Sequence, residues 1–400
     1  MSSRAAVAPQ ESVIEAARRS ILPLVLFCLG HFLVDLYSGA LGALQPLLQN
    51  HYGLNFTQAG ILGGVLVCSS SVMQPVYGLL SDRWHSRLFT ILAPGVAGVF
   101  ISSLGLASGF GGLLAMIWMG GSGIASFHPQ AAANATAGIE RNRSGAMAIF
   151  ICSGTAGLAC GPIFFSTLAT HGVALNGWGA IPGVAISMLL LVSLPPLAAR
   201  SQAGHTSRWR DLHAVWKPLA VLYFLVFIRS IVQITFTQFL PLYLHTQRDY
   251  SLSAASAMLS LYLVGGAIGG LAGGKLADRF GGRLVIIISM IGSVPFLALF
   301  VFTTGAVSAV SLFLGGLILL FTIPVNVVMA QELAPAQAGT VSALMMGFAW
   351  GAAGLIFIPL TGWVSDLLSM QHAFAGLIAF PILGFLLALR LPKKCAPSAS

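Results

Sequence analysis

The chain has 400 residues, of which 57% are hydrophobic and only 7% charged, with 19 basic groups against 10 acidic ones. Soluble proteins carry roughly 25% charged residues, and a water-soluble fold of this length could not cover its surface with so few. A soluble enzyme, a coiled coil and a disordered chain are excluded, which leaves a polytopic membrane protein.

A helix needs about 20 apolar residues to cross a hydrocarbon core of about 30 Å. Runs of that length are expected at 21–49, 57–81, 87–107, 111–137, 143–170, 180–199, 216–246, 252–277, 283–303, 307–333, 339–365 and 372–391. The fold class is therefore an all-α membrane protein of twelve spans. Ten-residue alternation is absent, so a barrel is not expected. Residues 1–20 are polar and the first apolar run is too long for a signal h-region, so the first span reads as uncleaved. The 46 glycines suit close helix packing in lipid. Cys28, Cys68, Cys152, Cys160 and Cys395 have no paired spacing and read as small buried residues.

Twelve spans put both termini on one side. Of the 19 basic residues, 17 fall on that side: Arg4, Arg18, Arg19, Arg83, Arg87, Arg141, Arg143, Arg200, Arg208, Arg210, Lys217, Lys275, Arg279, Arg283, Arg390, Lys393 and Lys394. Arg248 alone marks the other face. The positive-inside rule makes the crowded face cytoplasmic, in a multi-pass plasma (inner) membrane protein with both termini inside. Topology thus explains the positive charge, and no nucleic-acid partner is expected.

The two halves repeat. Gln45-Pro46-Leu47-Leu48 matches Leu240-Pro241-Leu242-Tyr243 at a shift of 195, Gly78 to Arg83 matches Gly274 to Arg279 at 196, and Gly154 to Leu158 matches Gly351 to Leu355 at 197. Each copy holds six spans in parallel topology. The expected organisation is a tail at 1–20, a six-helix bundle at 21–199, a linker at 200–216, a second bundle at 217–391 and a tail at 392–400. Trp209 and Trp216 are interface residues.

Gly78 to Arg87 and Gly274 to Arg283 resemble the Gly-x-x-x-Asp-Arg-x-Gly-x-Arg loop signature of the major facilitator superfamily. The second copy matches in full, and the first has His85 in place of Gly. A narrower resemblance is to the fosmidomycin-resistance family. It rests on His31-x-x-x-Asp35, Phe127-His128-Pro129 with Ala131 to Ala133, Arg229-Ser230 and Gln331-Glu332. One departure is Leu367 after Asp366, where Arg is expected. The resemblance implies the superfamily fold, alternating access and proton-driven efflux of a drug-like compound. It also implies that Asp82, Arg83, Asp278, Arg279 and Arg283 form a cytoplasmic gate. Gly157-x-x-x-Gly161-Pro162 partly resembles an antiporter motif, and packing explains it equally well.

Ionisable groups deep in a bilayer cost roughly 2.5–3.5 kcal/mol each on insertion scales, so they need a partner, water or a function. His31 lies about 15 Å into the first span at 1.5 Å per residue, with Asp35 one turn on, on the same face. The pair reads as a proton-coupling site or as a static ion pair. Two ligands are too few for a metal, and none is expected. Arg229 either recognises an anionic substrate by a bidentate fork or neutralises Asp35. His128 either faces the cavity and the substrate or satisfies a carbonyl freed by Pro129. Glu332 reads as a structural cap or loop partner. Gly265, Gly269 and Gly273 form a ridge suited to close helix contact.

The expected function is a secondary transporter that exchanges protons for a small, anionic, fosmidomycin-like compound, working as a monomer without cofactors. An uptake symporter for an organic anion uses the same residues. A membrane enzyme or receptor lacks a catalytic constellation or an added domain, so an enzyme is not expected. The run Gly269 to Lys275 mimics a phosphate-binding loop, but it lacks the following Ser or Thr and a preceding strand.

Overall fold

The computed structural model describes residues 10–84, 87–136, 139, 143–194 and 215–392, with backbone only for 10–20, 82, 84, 144 and 336. The expected linker and the C-terminal tail lie outside the described residues but for their edges, as do residues 1–9, Arg141, Trp209 and Cys395.

Twelve apolar helices follow in order: α1 (Ile21–Tyr52), α2 (Phe56–Ser81), α3 (Leu88–Ser102), α4 (Phe110–Asn134), α5 (Gly145–Thr170), α6 (Trp178–Ser193), α7 (Trp216–Gln247), α8 (Leu252–Phe280), α9 (Gly282–Phe302), α10 (Gly305–Leu333), α11 (Ala338–Leu367) and α12 (Met370–Ala388). Ten are long and apolar enough to cross a membrane, while α3 and α6 are shorter than expected. The helix that carries α1 already begins at Gln10, inside the expected tail. Large apolar side chains such as Leu79, Val192 and Phe302 are exposed, as a surface solvated by lipid requires.

Each half has its own core. One cluster gathers Phe27, Tyr37, Leu62, Ile117 and Phe165 from the first six helices. The others draw mainly on α7 to α12, around Phe236, Tyr262, Phe300 and Phe374 and around Leu222, Met290 and Met345. Within the halves, α1 packs on α5, α3 on α4 and α6, and α8 on α10. Lipid tails give no hydrophobic reward for helix pairing, so close approach has to supply the attraction. A Cβ on Gly157 or Gly161 would strike the backbone of α1 at Phe32 and Leu36. One on Gly265, Gly269 or Gly273 would strike α10 at Phe313, Leu317 and Phe321. The glycine ridge of α8 is thus a contact with α10, and Gly157 and Gly161 of the antiporter-like motif are contacts with α1.

The halves meet where α2 packs on α11, α5 on α8, and the end of α1 on α7. Gly60 approaches the Ile358 carbonyl and Gly362 approaches that of Phe56. Asp366 closes this seam. Its carboxylate accepts from the Phe56 amide at 2.9 Å, the Thr57 amide at 2.8 Å and the Thr57 hydroxyl at 2.6 Å. Those amides belong to the first turn of α2, where free N–H groups and the helix dipole favour an anion. Asn55 caps the same turn with its side chain. Both α2 and α11 carry a π turn, at Cys68–Val72 and Leu344–Phe348, and the two turns touch.

The internal repeat extends to the helix ends. Arg87, at the start of α3, donates to the Leu194 carbonyl at the end of α6. Arg283, at the start of α9, donates to the Leu389 carbonyl at the end of α12 at 3.1 Å. Arg248 likewise donates to the carbonyls of Phe300 and Thr303 at 3.1 and 2.7 Å, at the end of α9. Cations at helix C-termini match the negative end of the dipole. The cysteines correct one expectation: Cys28 and Cys68 are half-buried, but Cys152 and Cys160 are exposed on α5, because that face turns outward.

Replacing Asp366 with Asn should weaken the tie between the halves by about 1 kcal/mol, the scale of an N-cap. Spin-label distances between the α1–α2 and α11–α12 loops should broaden toward longer values. Gly161→Ala should cost about 1–3 kcal/mol by overpacking against α1, seen as a lower melting temperature in detergent.

Candidate functional site

Two polar groupings lie inside the bundle, one in each half. The first is built on α1, α4 and α5. His31 and Asp35 stand one turn apart on α1, and His128 comes across from α4. The Asp35 carboxylate lies between them: Oδ2 is 3.3 Å from His31 Nε2, and Oδ1 is 3.5 Å from His128 Nε2. The side chains of His31, Asp35 and His128 retain 12, 18 and 23% exposure, so the cluster is screened without being sealed.

His31 is oriented by α5. Its Nδ1 is 2.8 Å from the Phe150 carbonyl, which can only accept, so Nδ1 carries the hydrogen and Nε2 faces Asp35. Its ring stacks on Phe150 at 4.3 Å between centroids and lies 6.2 Å from Phe127. Gly154 makes room for the arrangement, because a Cβ there would strike His31 Nε2 and Asp35 Oδ2.

The second grouping is on α7. Arg229 is only 5% exposed. It donates from Nη1 to Gln233 one turn on, and its guanidinium lies 5.7 Å from the centre of the Trp350 ring of α11. Among the described residues its Nε has no hydrogen-bond partner, and neither has the buried Tyr262 hydroxyl. Asn326 on α10 is wholly buried with both amide atoms unpartnered. Nothing in the sequence pattern pointed to Gln233, Trp350, Tyr262 or Asn326, since a single polar or aromatic residue in an apolar span has no periodic signal.

These positions decide among the open readings. Among the described residues, the ion-pair partners of Asp35 are His31 and His128, and Arg229 has none. Arg229 is therefore not the counter-ion of Asp35 here. His128 faces Asp35, not a carbonyl left free by Pro129. With His128 the cluster holds three ionisable groups instead of the expected two, Asp35 included, which changes the ligand arithmetic that argued against a metal.

The expected gate residues stay apart from this centre. The Asp82 side chain lies outside the described residues, and Arg83 is exposed. Asp278 and Arg279 are exposed, with Arg279 against the Phe280 ring at 5.2 Å. Arg283 ties α9 to α12 inside its own half, which is a structural contact and not a bridge between halves. Glu332 is exposed and forms no ion pair with another described residue, while Arg141 and the arginines of the linker lie outside the described residues. Its neighbour Gln331 bonds Ser342 of α11 at 2.7 Å. Pro162 sits inside the helix that carries α5.

A bundle of twelve apolar helices in two like halves, with ionisable side chains held between helices, has the architecture of a multi-pass membrane protein. The chain belongs to the major facilitator superfamily, whose family model matches residues 27–357 and 222–399. An uncharacterized MFS-type transporter of Bacillus subtilis, YfnC, is 30% identical over 402 residues, 96% of each chain. The fosmidomycin resistance protein of Escherichia coli is 27% identical over 388 residues, covering 92% of this chain and 93% of that one. Among solved structures, a bacterial homologue of the human lysosomal transporter Spinster, inward-facing and occupied, superposes with a TM-score of 0.77 at 14% identity. It covers 98% of this chain and 100% of that one. A D-xylose–proton symporter superposes at 0.73 with 16% identity, covering 93% and 97%. These last two establish the fold alone.

Gly154→Ala should push the His31–Asp35 pair out of register while the helices stay folded. The expected result is impaired transport with a thermal unfolding profile close to that of the wild type.

Proposed function

We propose that this protein is a proton-coupled antiporter that exports a small anionic compound by alternating access. One observation carries the reading: a buried guanidinium without a carboxylate partner in one half, and a carboxylate held by two imidazoles in the other. A buried cation without a counter-ion is costly, and an arriving anion relieves that cost through charge-assisted hydrogen bonds. The Nε of Arg229 and the Tyr262 hydroxyl, both buried and unpaired among the described residues, are donors that such an anion engages once the site opens. Asp35 with His31 and His128 forms the proton site, because imidazoles change charge near neutral pH. The likeness to a fosmidomycin resistance protein supports a drug-like phosphonate or carboxylate as the exported class.

In this reading both termini are cytoplasmic, by the placement of the basic residues, and the protein works as a monomer in the inner membrane. The seam sealed by Asp366 is then on the outer side. Asp82, Arg83, Asp278 and Arg279 form the inner gate.

Everted membrane vesicles test the direction. Adding fosmidomycin to energised vesicles should release protons from the lumen and load the drug. Loading without proton release overturns antiport. Asp35→Asn should abolish the pH dependence of transport, and normal dependence in that variant overturns the proton assignment. Arg229→Ala should weaken anionic substrates at least tenfold, and neutral ones much less. Equal losses for both would assign Arg229 a packing role.

A further inference from the structure

We propose that the Asp35 cluster is a binding site for a divalent transition ion of the zinc class. The ligands are Nε2 of His31, Nε2 of His128 and the Asp35 carboxylate, and the fourth position is open. The inference shares its residues with the transport reading but does not depend on it.

The spacing of the ligand atoms is the first argument. The two N–O separations are 3.3 and 3.5 Å. A charge-assisted N–H···O bond is about 2.7–2.9 Å at its best, so both gaps are longer than that optimum. Ligands about 2.0–2.2 Å from a tetrahedral ion lie about 3.3–3.6 Å apart along the edges. The observed separations, one to each carboxylate oxygen, are of that size. The ligand atoms of all three residues lie within 4.8 Å of one another.

The second argument is the tautomer. A metal-bound imidazole donates its other N–H to a carbonyl or carboxylate, which presents the opposite nitrogen as a lone pair. His31 does this through Nδ1 and the Phe150 carbonyl. With His31 neutral, the Nε2 lone pair points at a carboxylate oxygen, and either a proton or a metal ion between them removes that repulsion.

The third is the donor set and its access. Two imidazoles and one carboxylate suit zinc, cobalt and nickel. One carboxylate leaves a bound dication with one net positive charge, so the open position takes water or an anionic oxygen. The three side chains are partly exposed, which gives an ion a route in. Gly154 keeps the space beside His31 and Asp35 free of a side chain.

The test uses the purified full-length protein in detergent, with Zn²⁺ titrated against a chromogenic chelator. One Zn²⁺ should bind per chain in the micromolar range or tighter, and Co²⁺ should give the visible bands of tetrahedral coordination. His128→Ala and Asp35→Asn should each weaken binding at least tenfold, and His171→Ala, at an exposed loop histidine, should not. As a check that needs no variant, Zn²⁺ should shield His31 and His128 from carbethoxylation in the wild-type protein while His171 stays reactive. Absence of stoichiometric binding, binding that survives in both cluster variants, or unshielded histidines would overturn the site. Transport measured in chelator-treated buffer keeps the two readings separable, since proton-coupled export without zinc leaves the first standing whatever the second does.

Discussion

Helices in hydrocarbon gain nothing from hiding apolar surface, so their association depends on how closely their backbones approach. That constraint organises this protein. Glycines carry the contacts of α1 with α5, of α8 with α10 and of α2 with α11. The same contacts position the chemistry. Gly157 and Gly161 bring α5 against α1, which places the Phe150 carbonyl and ring on His31. Gly154 on the same helix leaves room for the Asp35 carboxylate. The polar cluster is thus a product of the packing rule, and a methyl group on that ridge would disturb it.

Charge follows a second rule. Charged side chains at several helix ends and inside the bundle are met by a fixed opposite charge or a helix terminus. Asp366 sits on the first turn of α2. Arg87, Arg248 and Arg283 sit on the last carbonyls of α6, α9 and α12. Asp35 has two imidazoles. Arg229 departs from the pattern, with a neutral amide, an indole face and an unpaired Nε. The cost of that departure is what an anionic ligand would remove.

The spans and the repeat were legible because hydropathy over twenty residues is a strong signal and needs no knowledge of contacts. Boundaries such as Trp216, Leu252 and Gly282 fall within a residue or so of expectation. The depth of His31, Asp35 and Arg229 could be counted along the helix. Their mutual arrangement could not. Whether Asp35 faces Arg229 or His128 depends on the rotation and separation of helices far apart in sequence, and no local pattern encodes that. Asp366 is the clearest case. The missing Arg after it looked like a defect of the motif, yet its partners are backbone amides of α2, which have no sequence signature at all. Arg283 misled in the opposite way, since a family motif suggested a gate where the side chain closes a helix end in its own half.

The strength of the seam between the halves bears on how such a protein can move. The Asp366 cap lies in an exposed place, where an N-terminal carboxylate is worth about 1 kcal/mol. Around it the halves touch through glycine contacts that lack the hydrophobic reward they would have in water. Swinging a two-state equilibrium from 1:99 to 99:1 takes about 5.5 kcal/mol. The Asp366 cap is only a fraction of such a sum, so neutralising Arg229 or changing the charge around Asp35 can compete with it. A buried ion pair joining Asp35 to Arg229 would have held one state too firmly for a small ligand to move.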